Sequence, residues 1–152
     1  MKNEIYNPHQ SSIGNLNANV MALICYVASV VVGFIPVLRY VAWLVPLALF
    51  LMEKQSEFVK FHAMQSFLLH VVGAVLSLVV SVVLGGIVGA GSLNAATFYA
   101  AVGIAGIIGL LITVISIVIL VFAIIAMVGA YRYKETHIPI IGDIAEKMSR
   151  KK

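Results

Sequence analysis

The chain has 152 residues and a formal net charge of +4; 62% of its residues are hydrophobic and 11% are charged. Because a soluble domain is about half apolar and about a quarter charged, this composition excludes a chain surrounded by water alone and predicts an integral membrane protein. The single cysteine, Cys25, also excludes an internal disulfide.

The chain begins with a polar segment, residues 1–17, in which the charges of Lys2 and Glu4 cancel. This segment lacks the pattern of a cleavable signal peptide, so we expect it to stay on the protein as a mobile, weakly structured segment. The next run, residues 19–36, carries no charged residue. It is long enough for a first membrane span, because about 20 apolar residues cross the hydrocarbon core.

Residues 40–52 are also apolar, but this run has only thirteen residues and includes Pro46. Its length is compatible with a tilted short span, a re-entrant segment or the second arm of a tight hairpin. Pro36 and Arg39 favour a turn just before it, so the sequence predicts a hairpin whose second span is short. The linker that follows, residues 53–60, is predicted to form a short helix at the membrane interface.

A run of 71 residues without Asp, Glu, Lys or Arg separates Lys60 from Arg132. This run is long enough for two spans and a turn. Residues 85–97 concentrate Gly, Ser and Asn, which interrupt helices, and therefore mark the turn. The sequence predicts a third span near residues 62–86 and a fourth near residues 98–131, the fourth being longer than one crossing requires.

Lysine and arginine side chains set the orientation of the predicted spans. With four spans, nine of the ten lie on the side of the two termini, and only Arg39 lies on the opposite side. Basic segments stay in the cytoplasm, so both termini of this cell-membrane protein are expected there. A three-span alternative moves Lys2 outside and leaves Arg39 within the membrane, where an unpaired charge is costly. The predicted fold class is all-α, a polytopic transmembrane helical bundle of four spans.

Small residues repeat along the third and fourth predicted spans. Helices in a membrane associate through close packing, which small side chains permit. On the third span, His62, Ser66 and Gly73 fall on one helix face at 100° per residue. We expect these faces to contact protein, either within the bundle or in another subunit. The predicted packing positions are Gly85, Gly89, Gly103, Gly106 and Gly109.

Three polar residues, His62, Gln65 and Ser66, lie where the linker enters the third span. One interpretation is that they line a pathway or bind a partner. The favoured interpretation is that they satisfy backbone carbonyls and lipid headgroups, because polar residues are ordinary at the membrane interface. His70 lies about two turns deeper, and an ionisable residue at that depth is a candidate for a polar pathway. A neutral histidine that only forms hydrogen bonds is the preferred explanation of His70.

The transmembrane domain is predicted to cover residues 18–137 and to be followed by a tail, residues 138–152. Ile140, Ile144 and Met148 recur in the tail at helical spacing, and basic residues cluster at its end. This pattern predicts a cytoplasmic amphipathic helix on a bilayer with anionic headgroups; charge that only sets the topology is the alternative. No nucleic-acid partner is predicted, because the basic end lacks interleaved aromatic residues.

The sequence carries no recognised catalytic motif: no Ser elbow, no pair of membrane carboxylates, no phosphate-binding loop and no HExxH. His62 and His70 are eight residues apart, with no Cys, Asp or Glu near them on the same helix, which is not a metal-ligand spacing. We therefore predict no enzyme activity, no cofactor and no metal site.

Two stretches together resemble a known family. EKQSEFVKFHAMQS, residues 53–66, follows the apolar hairpin, and IPIIGDIAEK, residues 138–147, follows the last span. They look like the paired signatures of small four-helix prokaryotic membrane proteins of unknown function, related to the import subunit of the chloroplast inner envelope. The resemblance covers roughly residues 17–148 and implies four helices with both termini on one side. Its motif positions here are His62, Gln65, Ser66, Pro139, Gly142 and Asp143.

Three functions are compatible with these observations. The favoured function is a non-enzymatic accessory or scaffold subunit of a membrane assembly, partnered by a membrane protein or by copies of itself, with polypeptide translocation as a related role. The alternative is an oligomeric transporter or channel for a small solute or an ion, lined by the polar face of the third span. An intramembrane enzyme that uses Ser66 beside His62 is least favoured, because a complete acid–base set is missing.

Overall fold

The computed structural model describes residues 3–91 and 94–150 of the chain. The described residues are mostly helical, in agreement with the helical class that the apolar runs predict. The elements, in chain order, are β1 (Asn3–Ile5), α1 (Ala18–Gly33), a 3-10 turn (Leu38–Tyr40), α2 (Leu44–Met52), α3 (Glu57–Gly91), α4 (Ala95–Tyr131), β2 (Lys134–Thr136) and α5 (Ile141–Ser149).

Two helices in the described part of the chain, α3 and α4, are long and apolar enough to cross a membrane. They have 35 and 37 residues, and their most apolar windows reach mean hydropathies of 2.7 and 3.2. The large side chains along them are exposed, as at Leu78, Ile107 and Leu110, which are 65%, 65% and 66% exposed. Because lipid accepts such side chains and a helix pairs its own backbone groups, these surfaces suit a bilayer.

The turn in the glycine-rich segment is shorter than the sequence predicts. α3 continues as far as Gly91, so residues 85–91 are helical and the predicted turn is wrong for them. A glycine costs a helix only about 1 kcal/mol, and lipid offers the backbone no other partner. α4 then begins after Asn94, whose Oδ1 accepts a hydrogen bond of 3.0 Å from the Thr97 N–H.

The linker is helical over a shorter stretch than the sequence predicts, and the N-terminal segment contains a short strand. Residues 53–56 are not helical, and the helix begins only at Glu57. In the N-terminal segment, β1 pairs antiparallel with β2, and Gln10 forms an isolated bridge with Asn17. Residues 1 and 2 lie outside the described part. Backbone pairing therefore joins the N-terminal segment to residues near the far end of the chain.

The chain divides into two compact units, which we call unit 1 (residues 1–71 and 122–152) and unit 2 (residues 72–121). The N-terminal segment and the tail both belong to unit 1. In unit 1 the buried side chains of Phe61, Met64 and Ala145 form an apolar core, with Phe50, Phe67 and Leu68 packed against it. Ala145 belongs to α5, so the tail helix packs on the first turns of α3.

Unit 2 contains the C-terminal part of α3 and the N-terminal part of α4. A groove of about 270 Å³ lies between these helical segments. Its lining residues are Gly73, Leu76, Ser77, Val80, Ile112, Ser116 and Ile119.

Candidate functional site

The polar side chains of the first signature are fully buried in unit 1. His62, Gln65 and Ser66 lie on the first turns of α3, and each is 0% exposed. His62 Nδ1 is hydrogen-bonded to the Tyr26 hydroxyl of α1 at 3.0 Å. The ring of His62 packs edge-on against Phe58, with 4.6 Å between the ring centroids. All three residues are enclosed by protein, so the lipid headgroups of the favoured interpretation do not reach them, whereas Gln65 and Ser66 do bind backbone carbonyls, as that interpretation also supposed.

The Gln65 amide joins three segments of the chain. Its Nε2 donates to the Tyr26 hydroxyl at 3.0 Å and to the Thr136 carbonyl at 3.1 Å. Its Oε1 accepts a 3.1 Å hydrogen bond from the Ile138 N–H. Both ends of the amide are satisfied, so this one side chain links α1, α3 and the connection between β2 and α5.

Ser66 and His70 bind backbone carbonyls. Ser66 Oγ donates to the Cys25 carbonyl of α1 at 2.8 Å. His70 is half-buried, and its Nδ1 is hydrogen-bonded to the Ser66 carbonyl, one turn earlier on α3, at 2.8 Å. The hydroxyl thus ties α3 to α1, whereas the deeper histidine bonds to its own helix.

Glu53, in the turn before α3, is 1% exposed and collects several hydrogen bonds. It accepts from the Ser11 hydroxyl, from the hydroxyl of Ser12 at 2.7 Å, and from the N–H groups of Gln55 and Ser56 at 2.9 and 3.0 Å. Burial alone would raise the pKa of this carboxyl, but the hydrogen bonds from Ser11, Ser56, Ser12 and Gln55 lower the pKa to about 2. Glu53 is therefore an ionised anchor for the N-terminal segment.

A second contact fixes the N-terminal segment at the start of α3. Ser56 Oγ accepts a hydrogen bond of 3.1 Å from the Val59 N–H, the bond expected of a residue that caps a helix N-terminus. The same hydroxyl is hydrogen-bonded to His9 Nε2 at 2.7 Å. The cap of α3 and the N-terminal segment therefore depend on each other.

Arg150 joins both ends of unit 1. Its Nη2 donates to Glu4 Oε2 at 2.9 Å, to the Tyr6 hydroxyl at 2.6 Å and to Glu135 Oε2 at 2.9 Å. Its Nη1 donates to Glu146 Oε1 at 3.0 Å. Burial would lower the pKa of Arg150, but the carboxylates of Glu4 and Glu135 raise the pKa above its ordinary value. The guanidinium thus links the N-terminal segment, β2 and α5.

The two sequence signatures contact each other at Gly142. This residue is buried, and a Cβ there would lie 2.7 Å from His137 Cβ and 2.9 Å from Gln65 Oε1. Close approach therefore requires glycine at this position. Pro139 and Asp143 are exposed at the edge of the contact. Of the six motif positions, the structure thus brings His62, Gln65, Ser66 and Gly142 into one buried region and leaves Pro139 and Asp143 at its surface.

The glycines predicted to pack helices leave space for a side-chain atom among the described residues. A Cβ built at any of them would meet no other atom within 4 Å, apart from the local helix backbone. These positions are Gly85, Gly89, Gly103, Gly106 and Gly109. An added methyl group therefore has room at each of them.

Sequence reasoning missed several members of this buried region. Tyr26 carries a detectable signal, because a hydroxyl inside an apolar run usually finds a hydrogen-bond partner. Glu53 and Glu135 were visible as charges, but their partners lie far away along the chain. The acceptors at Cys25 and Thr136 are backbone carbonyls, which side-chain identity cannot reveal.

The family described as the magnetosome magnetite crystal formation protein family matches residues 17–145. A UPF0132 membrane protein of Methanocaldococcus jannaschii is 28% identical to this chain over 141 residues, which cover 93% of this chain and 96% of that protein. No solved structure matches the chain. The family match contains the whole first signature and most of the second.

Proposed function

The chain belongs to the magnetosome magnetite crystal formation protein family, and from this membership we propose that it is a non-enzymatic accessory or scaffold subunit of a membrane assembly. One observation carries the proposal: the signature side chains His62, Gln65 and Ser66 are buried, and their hydrogen bonds hold segments of unit 1 together. Residues used in this way build a fixed surface for partners.

The geometry argues against a catalytic role for the one serine–histidine pair that the sequence suggested. A nucleophile needs a base within hydrogen-bond reach and a path to substrate. Ser66 Oγ donates to the Cys25 carbonyl instead, and His62 Nδ1 is bonded to Tyr26. Both side chains are 0% exposed, so a substrate has no access to them.

We propose four membrane segments, with α1 and α2 as a hairpin before α3 and α4. α2 has nine residues and so rises about 14 Å, roughly half of the hydrocarbon thickness, which makes it a short second arm. Near the turn, the Arg39 guanidinium lies 5.5 Å from the centroid of the Tyr40 ring, and Tyr40 is 74% exposed. Exposed aromatic and basic side chains are typical of the headgroup region.

Labelling of single cysteines tests this topology. In a Cys25→Ser background, Ala96→Cys is expected to react with an impermeant maleimide added outside intact cells. Lys147→Cys is expected to react only after the membrane is opened, because the tail is proposed to be cytoplasmic. The Cys25→Ser chain itself is the blank. Labelling of both positions from the same compartment contradicts the four-segment arrangement.

The scaffold function predicts a defined neighbour in the membrane. The face of α4 around Gly106 offers close approach to another helix. We expect Gly106→Cys in the Cys25→Ser background to give one discrete crosslinked product in native membranes. Ile104→Cys, about 200° around the same helix, is the matched control. Only the monomer from both variants, together with a lone monomer in mild detergent, contradicts a scaffold.

Two finer parts of the proposal concern the surroundings of the scaffold. α5 exposes Ile144 and Met148 next to Lys147, and Ile140 is exposed just before the helix, which suits contact with anionic headgroups. The resemblance to the chloroplast import subunit suggests an assembly that handles polypeptides. In that case crosslinked partners include a protein-translocation component, and their absence from the products removes this narrower role.

The alternative function is an oligomeric transporter or channel, which the groove in unit 2 favours. Ser77 and Ser116 place hydroxyl groups in its otherwise apolar wall. Reconstituted vesicles should then show flux of a small solute or an ion that falls in Ser77→Ala and Ser116→Ala. Ser81→Ala is the control, because the Ser81 hydroxyl is bonded to the Ser77 carbonyl of its own helix. Absence of flux under every gradient eliminates this function.

A further inference from the structure

His137 lies between two carboxylates in unit 1. Its Nε2 is 3.3 Å from Glu135 Oε1, and its Nδ1 is 3.4 Å from Asp143 Oδ1. The side chains of His137 and Glu135 are 5% and 0% exposed, whereas that of Asp143 is 69% exposed. The imidazole therefore has a buried carboxylate on one side and an accessible one on the other.

Each ring nitrogen of His137 faces one carboxylate oxygen, and an imidazole that ligates a metal offers the lone pair of one nitrogen while its other nitrogen donates an N–H. When Nε2 carries the proton and donates a hydrogen bond to the buried Glu135, the lone pair of Nδ1 faces an oxygen of Asp143. Two lone pairs that face each other repel, and a metal cation between them removes the repulsion. A histidine that ligates a metal commonly donates its other N–H to a carboxylate, which orients the ring. Glu135 and His137 have this relationship.

A third ligand follows from helix geometry. Glu146 comes three residues after Asp143 on α5, so the two side chains share a helix face. One ligand atom each from His137, Asp143 and Glu146 can be chosen so that all lie within 4.8 Å of one another. Ligands of a tetrahedral ion lie about 3.4 Å apart, so a closure of up to about 1.4 Å assembles the set. Arg150 also donates to Glu146, but a carboxylate has two oxygens and can serve both partners.

We propose that His137, Asp143 and Glu146 form a binding site for a divalent cation that clamps the start of α5 to the segment after β2. One imidazole nitrogen and two carboxylate oxygens suit a first-row ion such as Zn²⁺ or Mn²⁺ better than Mg²⁺ or Ca²⁺. The exposure of Asp143 provides the entry path, and water completes the coordination shell.

Titration of the full-length protein in detergent, after treatment with a chelator, tests the site with Zn²⁺ as the probe. Calorimetry should give one bound Zn²⁺ per chain, and Zn²⁺ should raise the melting temperature. Asp143→Asn is the main variant because its side chain is exposed, so the variant is expected to fold. It should bind Zn²⁺ at least tenfold more weakly, as should Glu146→Gln, and lose the shift in melting temperature. Glu57→Gln, which removes an exposed acid from α3, is the matched control.

Glu135→Gln separates the orienting role from ligation. It should weaken Zn²⁺ binding by about 10–100-fold, the usual effect of losing such a partner. The absorption spectrum of bound Co²⁺ should still indicate the same coordination number as in the wild type.

Equal Zn²⁺ affinity in the wild-type and Asp143→Asn proteins overturns the proposal. No binding at millimolar Zn²⁺ overturns it as well, and binding without a change in melting temperature overturns the clamp.

Discussion

The hydrogen bonds made by side chains within unit 1 differ from those made within unit 2. In unit 1 buried side chains bond to segments far away in the sequence, as when Gln65 binds the Thr136 carbonyl. In unit 2 two hydroxyls bond to their own helices: Ser81 to the Ser77 carbonyl at 2.7 Å and Thr113 to the Gly109 carbonyl at 2.9 Å. The difference teaches that long-range side-chain hydrogen bonds specify the conformation of unit 1, whereas backbone hydrogen bonds and lipid support the helices of unit 2.

This contrast has a physical cause. Apolar helices gain little by leaving lipid for each other, since lipid chains are as apolar as leucine. Buried polar groups, in contrast, lose free energy unless each finds its partner, so they permit only one arrangement of their segments. Substitutions at matched positions of the two units, or at buried and exposed positions, should therefore differ strongly in their effect on the free energy of unfolding.

The largest effect is expected for Gln65→Ala. The substitution removes three hydrogen bonds and leaves the buried Thr136 carbonyl and Ile138 N–H without that partner. Since each unsatisfied group costs about 1–3 kcal/mol, we expect the free energy of unfolding to fall by about 3–5 kcal/mol. Gln55→Ala, at an exposed position, is the control. Unfolding in detergent with increasing SDS measures both, and equal losses would show that the buried amide is not special.

Glu53 gives unit 1 a dependence on pH. Its pKa is lowered from 4.5 to about 2 by its hydrogen bonds, so folding stabilises the ionised form. The resulting stability is present above pH 4.5 and is lost as the pH falls towards 2. We expect about 2–3 kcal/mol to be lost over this range by the wild type but not by Glu53→Gln, which should already be less stable at pH 6. Unfolding curves measured from pH 6 to pH 3 give the difference, and parallel pH profiles contradict the role of Glu53.

Glycine to alanine substitutions compare the two units directly. At Gly142 a Cβ would lie 2.9 Å from Gln65 Oε1, so the neighbouring atoms must move. We expect the free energy of unfolding to fall by about 2 kcal/mol. At Gly106 the space is open, and alanine favours a helix by about 1 kcal/mol. Thermal unfolding of Gly142→Ala and Gly106→Ala in detergent should therefore move in opposite directions. A loss of stability at Gly106 with none at Gly142 would contradict this prediction.

The helices were largely predictable, because charge-free apolar runs of sufficient length have few alternatives in lipid. The run between Lys60 and Arg132 indeed contains most of α3 and all of α4. The boundary between them was less predictable, because the low helix propensity of glycine in water overstates how strongly glycines interrupt the helix at residues 85–91. The pairing of β1 with β2 was invisible, because each strand has only three residues and their partners lie at opposite ends of the chain.

The candidate site was half predictable. Polar residues in an apolar context marked His62, Gln65 and Ser66, and the resemblance paired their stretch with the one that contains Gly142. Their burial was not predictable, because it depends on how α1 and α5 pack against α3. The role of His137 was not predictable for a similar reason. Asp143, six residues later, lies beside the His137 ring only because α5 folds back.

The smallest effect is expected at Tyr26, and it sharpens the comparison at the level of one atom. Tyr26→Phe keeps the buried ring but removes the hydroxyl that contacts His62 Nδ1 and Gln65 Nε2, both at 3.0 Å. Gln65 retains its bond to the Thr136 carbonyl, so the loss should be only about 1 kcal/mol. Tyr99→Phe removes a hydroxyl from a residue of unit 2 that is 74% exposed, and should not measurably change the free energy of unfolding.

The double variant Tyr26→Phe with Gln65→Ala should lose less free energy of unfolding than the sum of the losses in the single variants, because both substitutions remove the same hydrogen bond. Strict additivity in this cycle would show that the hydroxyl and the amide act independently, and that unit 1 lacks the coupling that distinguishes it from unit 2.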